Sequence, residues 1–264
     1  MADIDEALLS RIEDAGLNAS APQQQRWMDG WIVRTSPGKA KRARCVNAVA
    51  TGRLPLAQKL ALARAAFEDA GLPMMVRITP FTQPLELDAL LAAHGWTTLD
   101  DTRVMAMVDL QASPFPTQPP LPAGTAWSRW PAEAYAEAVG RLRGSPPEQR
   151  LAHAERLKSS PIPYEGYAVQ HVASGEVLAC GQFAREAELV GLYDVYTAEA
   201  ARGQGLARRL CERLLFLAAA QGARVAYLQV EADNHPARQI YQRLGFTDQY
   251  AYHYRQAPTS AEPD

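Results

Sequence analysis

From Leu206 to Gln221 the apolar positions recur at helical spacing. Leu206, Leu210, Leu214 and Leu217 fall on one face, and Arg208, Arg209, Glu212 and Arg213 lie mostly off it. The pattern predicts an amphipathic helix, with Gly222 at its C-terminal cap. Leu189 to Thr197 reads as a buried strand before it, and Val225 to Val230 as a strand after it. Pro236 to Leu244 reads as a short helix, with proline in its first turn and Gly245 past its end. Tyr250 to Arg255 closes the pattern as a strand. Upstream, Tyr167 to His171 and Val177 to Phe183 read as strands around a turn at Ala173-Ser174-Gly175. Pro131 to Leu142 and Pro147 to Lys158 read as helices, as does Ile4 to Ala15 near the start of the chain.

The pattern repeats. Shifting the chain by 150 positions lays Leu56-Ala57 on Leu206-Ala207, Leu60 on Leu210, Val76-Arg77-Ile78 on Ala226-Tyr227-Leu228, and Gly95-Trp96 on Gly245-Phe246. Two copies of one fold in tandem account for this. Between them Ser113 to Pro122 holds five prolines in ten positions. Such a segment joins neither a helix nor a central strand. The expected organisation is a first domain over residues 1–112, a linker over 113–122, a second domain over 123–256 and a disordered tail over 257–264.

Composition narrows the classes. A net charge of -2 gives no global field toward nucleic acid or an anionic membrane. No apolar run is long enough for a membrane span, and the acidic, amphipathic N-terminus is no signal peptide. The odd set of Cys45, Cys180 and Cys211 reads as free buried thiols in a reducing compartment. The expectation is a cytoplasmic protein without nucleic-acid or membrane partners, with the oligomeric state open. No group of residues has metal-ligand spacing, so no metal is expected.

The candidate chemistry lies in the second half. Ala201-Arg202-Gly203-Gln204-Gly205-Leu206-Ala207 is a glycine-rich turn between the strand ending at Thr197 and the Leu-striped helix. Such a turn aims unpaired N–H groups and a partial positive charge at an anion. Downstream stands Asn234-His235-Pro236-Ala237, then Tyr241, Gly245 and Phe246. Asn234 suits an N-cap. Ala237 is small, and Tyr241 lies one turn further on the same face.

These two motifs together resemble the GCN5-related N-acetyltransferases. The resemblance is strong over Tyr167 to Arg255, through Arg202, Gly205 and Ala207 in the turn and the Asn234…Ala237…Tyr241…Gly245-Phe246 series. It implies an α+β (mixed αβ) acyl-CoA N-acyltransferase-like fold, each copy a bent mixed sheet flanked by helices. It also implies transfer of an acetyl group from acetyl-CoA to a primary amine, on a small molecule or peptide, by direct attack. The backbone of Arg202, Gly203, Gln204, Gly205, Leu206 and Ala207 would then grip the pyrophosphate. Val195, Tyr196 and Thr197 would bond the pantetheine arm, although the family prefers an aliphatic residue at Thr197. Asn234 and Ala237 would flank the cofactor, and Tyr241 would protonate the departing thiolate. Thiol and phenol pKa values of about 8.5 and 10 keep that transfer from being steeply uphill.

The general base is less directly indicated. Relatives that acetylate protein N-termini carry a glutamate where this chain has Gln229. Glu231, two residues on and on the same strand face, is the candidate, with Asp194 or a water chain as alternatives. His153 and His235 read as solvated or capping residues.

In the first copy the 150-residue shift puts Gly52-Arg53-Leu54-Pro55 opposite Arg202-Gly203-Gln204-Gly205, Pro84 opposite Asn234 and Leu91 opposite Tyr241. Pro55 has no N–H to offer. This copy is expected not to bind CoA but to wall one side of the acceptor cleft. The competing expectation is a non-catalytic acyl-CoA-binding module whose first domain docks a partner.

Overall fold

The structure is a computed structural model that describes residues 4–113 and 115–258. The tail expected from residue 257 lies outside the described residues from 259 onward, and so does Pro114 of the expected linker. Ala257 itself donates its N–H to the Met74 carbonyl.

The first copy runs α1 (Glu6–Ala19), β1 (Gln25–Met28), β2 (Trp31–Arg34), β3 (Val46–Ala48), α2 (Leu56–Asp69), β4 (Met75–Ile78), α3 (Leu87–Ala93) and β5 (Thr97–Met107). The second runs β6 (Thr125–Trp130), α4 (Ala132–Leu142), α5 (Pro147–Ser159), β7 (Tyr164–His171), β8 (Val177–Glu186), β9 (Leu189–Thr197), α6 (Leu206–Ala220), β10 (Val225–Glu231), α7 (His235–Leu244) and β11 (Thr247–Gln256). The 150-residue shift carries α2 onto α6 and β5 onto β11, so the tandem reading holds element by element. The expected helix at Ile4 to Ala15 begins after the N-cap Asp5, whose carboxylate accepts from Leu8 N at 2.8 Å, and it runs on to Ala19.

The two copies share one 11-stranded sheet in the order β1-β2-β3-β4-β11-β5-β10-β9-β8-β7-β6. The sequence reading did not anticipate its centre. Each copy gives its last strand to the other: β5 pairs β10, β11 pairs β4, and β5 and β11 pair antiparallel with each other. All pairings are antiparallel except β3 with β4 and β9 with β10, which occupy equivalent places in the two copies.

The Leu face of α6 explains the main core. Leu206, Leu210, Leu214 and Leu215 are buried with Phe183, Val190, Leu192, Leu228 and Phe246. The α2 helix covers the first-copy strands more modestly, through Ala63, Ala66 and Phe67. On the opposite face α1 lies across the second copy. Its Arg11 pairs Glu188 at 2.6 Å, and Tyr164 of β7 donates to the Ala19 carbonyl at 2.7 Å.

A buried ion pair fixes α1 to β4, beside the exchanged strand β11. Glu13 of α1 meets Arg77 of β4, and Tyr250 of β11 donates its hydroxyl to the same carboxylate at 2.7 Å. Burial alone would raise the Glu13 carboxyl, but Arg77 outweighs it and holds the group below its ordinary value of 4.5. Removing the carboxylate strands a buried guanidinium, so Glu13→Ala is expected to lose about 3–5 kcal/mol in urea unfolding. A depressed folded-state pKa stabilises above the unfolded value and is lost as pH falls through the folded one. The stability gap between wild type and Glu13→Gln should therefore be full above pH 4.5 and narrow below it.

Candidate active site

Strands β9 and β10 begin as a parallel pair, from Leu189↔Val225 to Leu192↔Leu228, and then part. Each stays in the sheet on its other side. β9 follows β8 to Thr197↔Ala179, and β10 follows β5 to Glu231↔Thr102. The parting coincides with a bulge in β9. Tyr196 pairs Cys180 and Tyr193 pairs Gln182, so Asp194 and Val195 stand against Gly181 alone, and Asp194 takes φ 52°. The backbone of Val195, Tyr196 and Thr197 is thus turned toward a gap with no strand to bond.

Beside this gap the turn expected to hold an anion has the predicted form. Gly203 and Gly205 have φ 78° and 73°, which L side chains seldom adopt. Gly205 is the α6 N-cap and brings no capping side chain. The N–H groups of Gly203 to Ala207 have no acceptor among the described residues. They are a set of free donors at the positive end of a helix. A cavity of about 390 Å³ runs from here past Val195, Thr197, Asn234 and Ala237 to Tyr241. On its wall Thr197 Oγ1 is buried without a partner, a polar atom fitted to a ligand with hydrogen-bonding groups.

The α7 helix supplies the rest. Asn234 caps it, accepting from Ala237 N at 3.3 Å, and Gly245 closes it at φ 102°. Tyr241 is buried to 9% exposure and its ring packs edge-on against Phe246. Its hydroxyl makes no hydrogen bond among the described residues, and burial pushes its pKa above the ordinary phenol value, so the proton is held. Cys211, also on this cavity, is fully buried, and its thiol is pushed up to about 12. It is therefore not a nucleophile at neutral pH.

A second cavity of about 320 Å³ occupies the gap itself and shares Asn234, Ala237 and Tyr241 with the first. The two carboxylates on its wall are Asp194 and Glu231. Asp194 accepts from Arg143 and Gln182, each at 2.7 Å, with His153 Nε2 at 3.2 Å but out of hydrogen-bond alignment. Burial works against its charge, yet Arg143 and His153 hold its pKa well below the usual range, which makes it a poor base. Glu231 is exposed at the rim of the gap. Gln229 is occupied: its Oε1 accepts from Tyr252 at 2.9 Å and from Arg42 of the first copy.

Sequence reasoning undervalued several residues. His153 was read as a solvated or capping residue, and Arg42 of the first copy was left outside the candidate site. Both face cavities, together with Arg143 and Arg156. The signal for His153, Arg143 and Arg156 was the run of basic residues on and between the helices before β7, which reads as an ordinary polar face unless the first copy is known to pack against it.

A family model described as "Probable histone acetyltransferase Rv0428c C-terminal" matches residues 7–255. The chain belongs to this family. This acetyltransferase is 24% identical over 235 residues to the "Uncharacterized N-acetyltransferase YobR" of Bacillus subtilis (strain 168), covering 88% of this chain and 91% of that protein. In fold it is similar to a GCN5-related N-acetyltransferase from Kribbella flavida, at TM-score 0.67 and 18% identity over 95% and 96% of the two chains. It is also similar to a tandem GNAT protein from the clavulanic acid biosynthesis pathway, at TM-score 0.58 and 18% identity over 79% and 73%. The acetyltransferase has the GNAT fold and is an acyltransferase. No helix among its described residues is long and apolar enough to cross a membrane.

The first copy of the acetyltransferase fills its own version of the glycine-rich turn. Asp29, after β1, accepts from Arg53 N at 2.9 Å and Leu54 N at 2.8 Å, and Lys59 Nζ stands 3.5 Å away. These backbone donors, with Lys59 beyond them, hold the Asp29 carboxyl below its ordinary value. A Cβ on Gly52 would come within 2.1 Å of the Asp29 carbonyl, so the plug also requires that glycine. The Tyr241 equivalent, Leu91, is buried in the first-copy core. Calorimetry with acetyl-CoA should accordingly show one site per chain, and two equivalents would contradict this reading of the Asp29 plug.

Proposed function

We propose that this chain transfers an acetyl group from acetyl-CoA to a primary amine by direct attack, in the second copy. What carries the reading is the set of free amides from Gly203 to Ala207, opening onto a cavity that ends at the protonated Tyr241. The amides of Gly203, Gln204, Gly205, Leu206 and Ala207, with Arg202, bind the pyrophosphate. The unpaired backbone of Val195, Tyr196 and Thr197 orients the pantetheine arm along the parted strands. Asn234 holds the turn and Ala237 leaves room for the arm over α7.

The acetyl carbon then lies in the gap between β9 and β10, where the second cavity admits the amine. As the amine nitrogen bonds that carbon and the carbon–sulfur bond breaks, Tyr241 gives its hydroxyl proton to the leaving thiolate. Glu231 takes the proton released by the nitrogen. It is the carboxylate on this wall whose oxygens are not committed to a cation among the described residues. The thiol of Cys211, protonated and buried, leaves no acyl carrier in the cavity and favours a single direct transfer.

Two substitutions test the assignments separately. Arg202→Glu puts a negative charge beside the pyrophosphate and should weaken acetyl-CoA binding by at least tenfold in calorimetry; unchanged affinity would remove the turn from the site. Tyr241→Phe should lower kcat by about 10²-fold, the usual size of a general acid's contribution, with acetyl-CoA affinity within twofold of wild type. Undiminished turnover would rule out the acid role.

A further inference from the structure

We infer that the acceptor is a small amine that also carries an anionic group, a carboxylate or phosphate, held by a cationic wall built jointly by the two copies. The inference rests on the acetyl-transfer reading above and adds the class of acceptor. A third cavity, of about 280 Å³, continues from the gap and shares Arg42, Arg143 and Asp194 with it. Its walls come from the loop after β2 on one side and from α4 and α5 on the other. Arg42, Arg143, Arg150, Arg156, His153 and Lys39 line it, against Asp194 as the carboxylate of the lining.

Pairing does not cancel this charge. Arg143 uses one nitrogen on Asp194. Arg150 is committed to Glu137 at 2.9 Å and to the Ser145 carbonyl at 2.6 Å; Gly140 makes room for its stem, which a Cβ would strike at 2.4 Å. Arg42 spends one nitrogen on the neutral Gln229. Arg156 meets the neutral Tyr164 hydroxyl, and neither Arg156 nor Lys39 has an ion-pair partner among the described residues. Arg42, Arg156 and Lys39 therefore stand around one small space without an ion-pair partner among the described residues.

Like charges gathered in a partly desolvated cavity repel one another, and an anion entering it gains from all of them. Guanidinium groups with unused forked donors match the planar oxygens of carboxylate and phosphate. The position decides the role. A molecule anchored by its anion in this cavity reaches the gap past Arg42 and Arg143, which line both spaces, and presents its amine where Glu231 and Tyr241 stand. A polybasic peptide meets the opposite field, and like-charge juxtaposition disfavours it.

The test uses the full chain and matched acceptor pairs: phosphoethanolamine against ethanolamine, aspartate against its diamide, and a lysine-rich peptide. Thiol release from acetyl-CoA is followed, and acceptor binding to the CoA-saturated protein is measured by calorimetry. At least one anionic member is expected to exceed its neutral partner tenfold or more in kcat/KM, with the margin shrinking as salt is raised. Arg156→Gln should cut that anionic-to-neutral ratio at least tenfold, and Lys39→Gln should lower it in the same direction. Acetyl-CoA affinity within twofold of wild type verifies that each variant is folded. Equal or better use of the neutral amines or the peptide, or a ratio that neither variant moves, overturns the inference while leaving acetyl transfer intact. Anion binding that depends on Arg156, without turnover on any amine, supports the wall and overturns the acetyl-transfer reading instead. The absence of both anion binding and anion preference in every arm overturns the wall.

Discussion

The antiparallel pairing of Thr97–Met107 with Thr247–Gln256 joins the two copies, and the site depends on what that exchange permits. A strand that parts from its neighbour exposes N–H and C=O groups, which are costly to leave unmatched inside a protein. Here β10 leaves β9 after Leu228 yet keeps its ladder with β5 to Glu231↔Thr102, while β9 keeps its ladder with β8 to Thr197↔Ala179. The gap therefore opens in the middle of a sheet that is held on both flanks. Only the facing edges are free, and those are the edges suited to an amide-bearing ligand. The bulge at Asp194 and Val195 adds the local bend that turns β9 away.

The same fold shows the same helix-start chemistry resolved in two ways. At α2 the amides of Arg53 and Leu54 bond the Asp29 carboxylate, and Lys59 balances it from beneath while stacking 4.5 Å over the Trp31 ring. At α6 the corresponding donors have no acceptor among the described residues. The orphan N–H groups of a helix start must be matched by something, and an internal carboxylate or an external phosphate serves equally well electrostatically. The first copy thereby gains a self-contained turn and the second keeps a place for a ligand. The apolar pattern of both helices persists because it answers to the core and is indifferent to what caps the helix.

Much of this was legible because it is local. The spacing of Leu206, Leu210 and Leu214 gave α6, Gly245 gave the end of α7, and Asn234 caps that helix as its type suggested. The 150-residue shift exposed the duplication and the replacement of the Gly205, Asn234 and Tyr241 equivalents by Pro55, Pro84 and Leu91. What stayed hidden depends on pairings between residues far apart in the chain. The pattern of Tyr250 to Arg255 says that it is a strand but not whose strands it joins, and β5 was not read as a strand. Asp29 is an unremarkable turn residue until the backbone brings it to α2. His153 and Arg156 look like a solvated helix face because the wall opposite them comes from residues more than a hundred positions earlier.

That distant wall also bears on why residue 229 is glutamine. Its Oε1 receives both Tyr252 and Arg42, in a region crowded with buried tyrosines. A glutamate there would form an ion pair with Arg42, which would depress its pKa and weaken it as a base, as Arg143 does for Asp194. The same pair would also neutralise Arg42. With glutamine, the position orients the guanidinium through a neutral hydrogen bond and leaves its charge directed at the cavity. Removing the carboxylate from position 229 thus has two linked effects. On the reading proposed above, the proton-accepting role falls to Glu231 at the exposed rim, and the acceptor side of the gap stays positive.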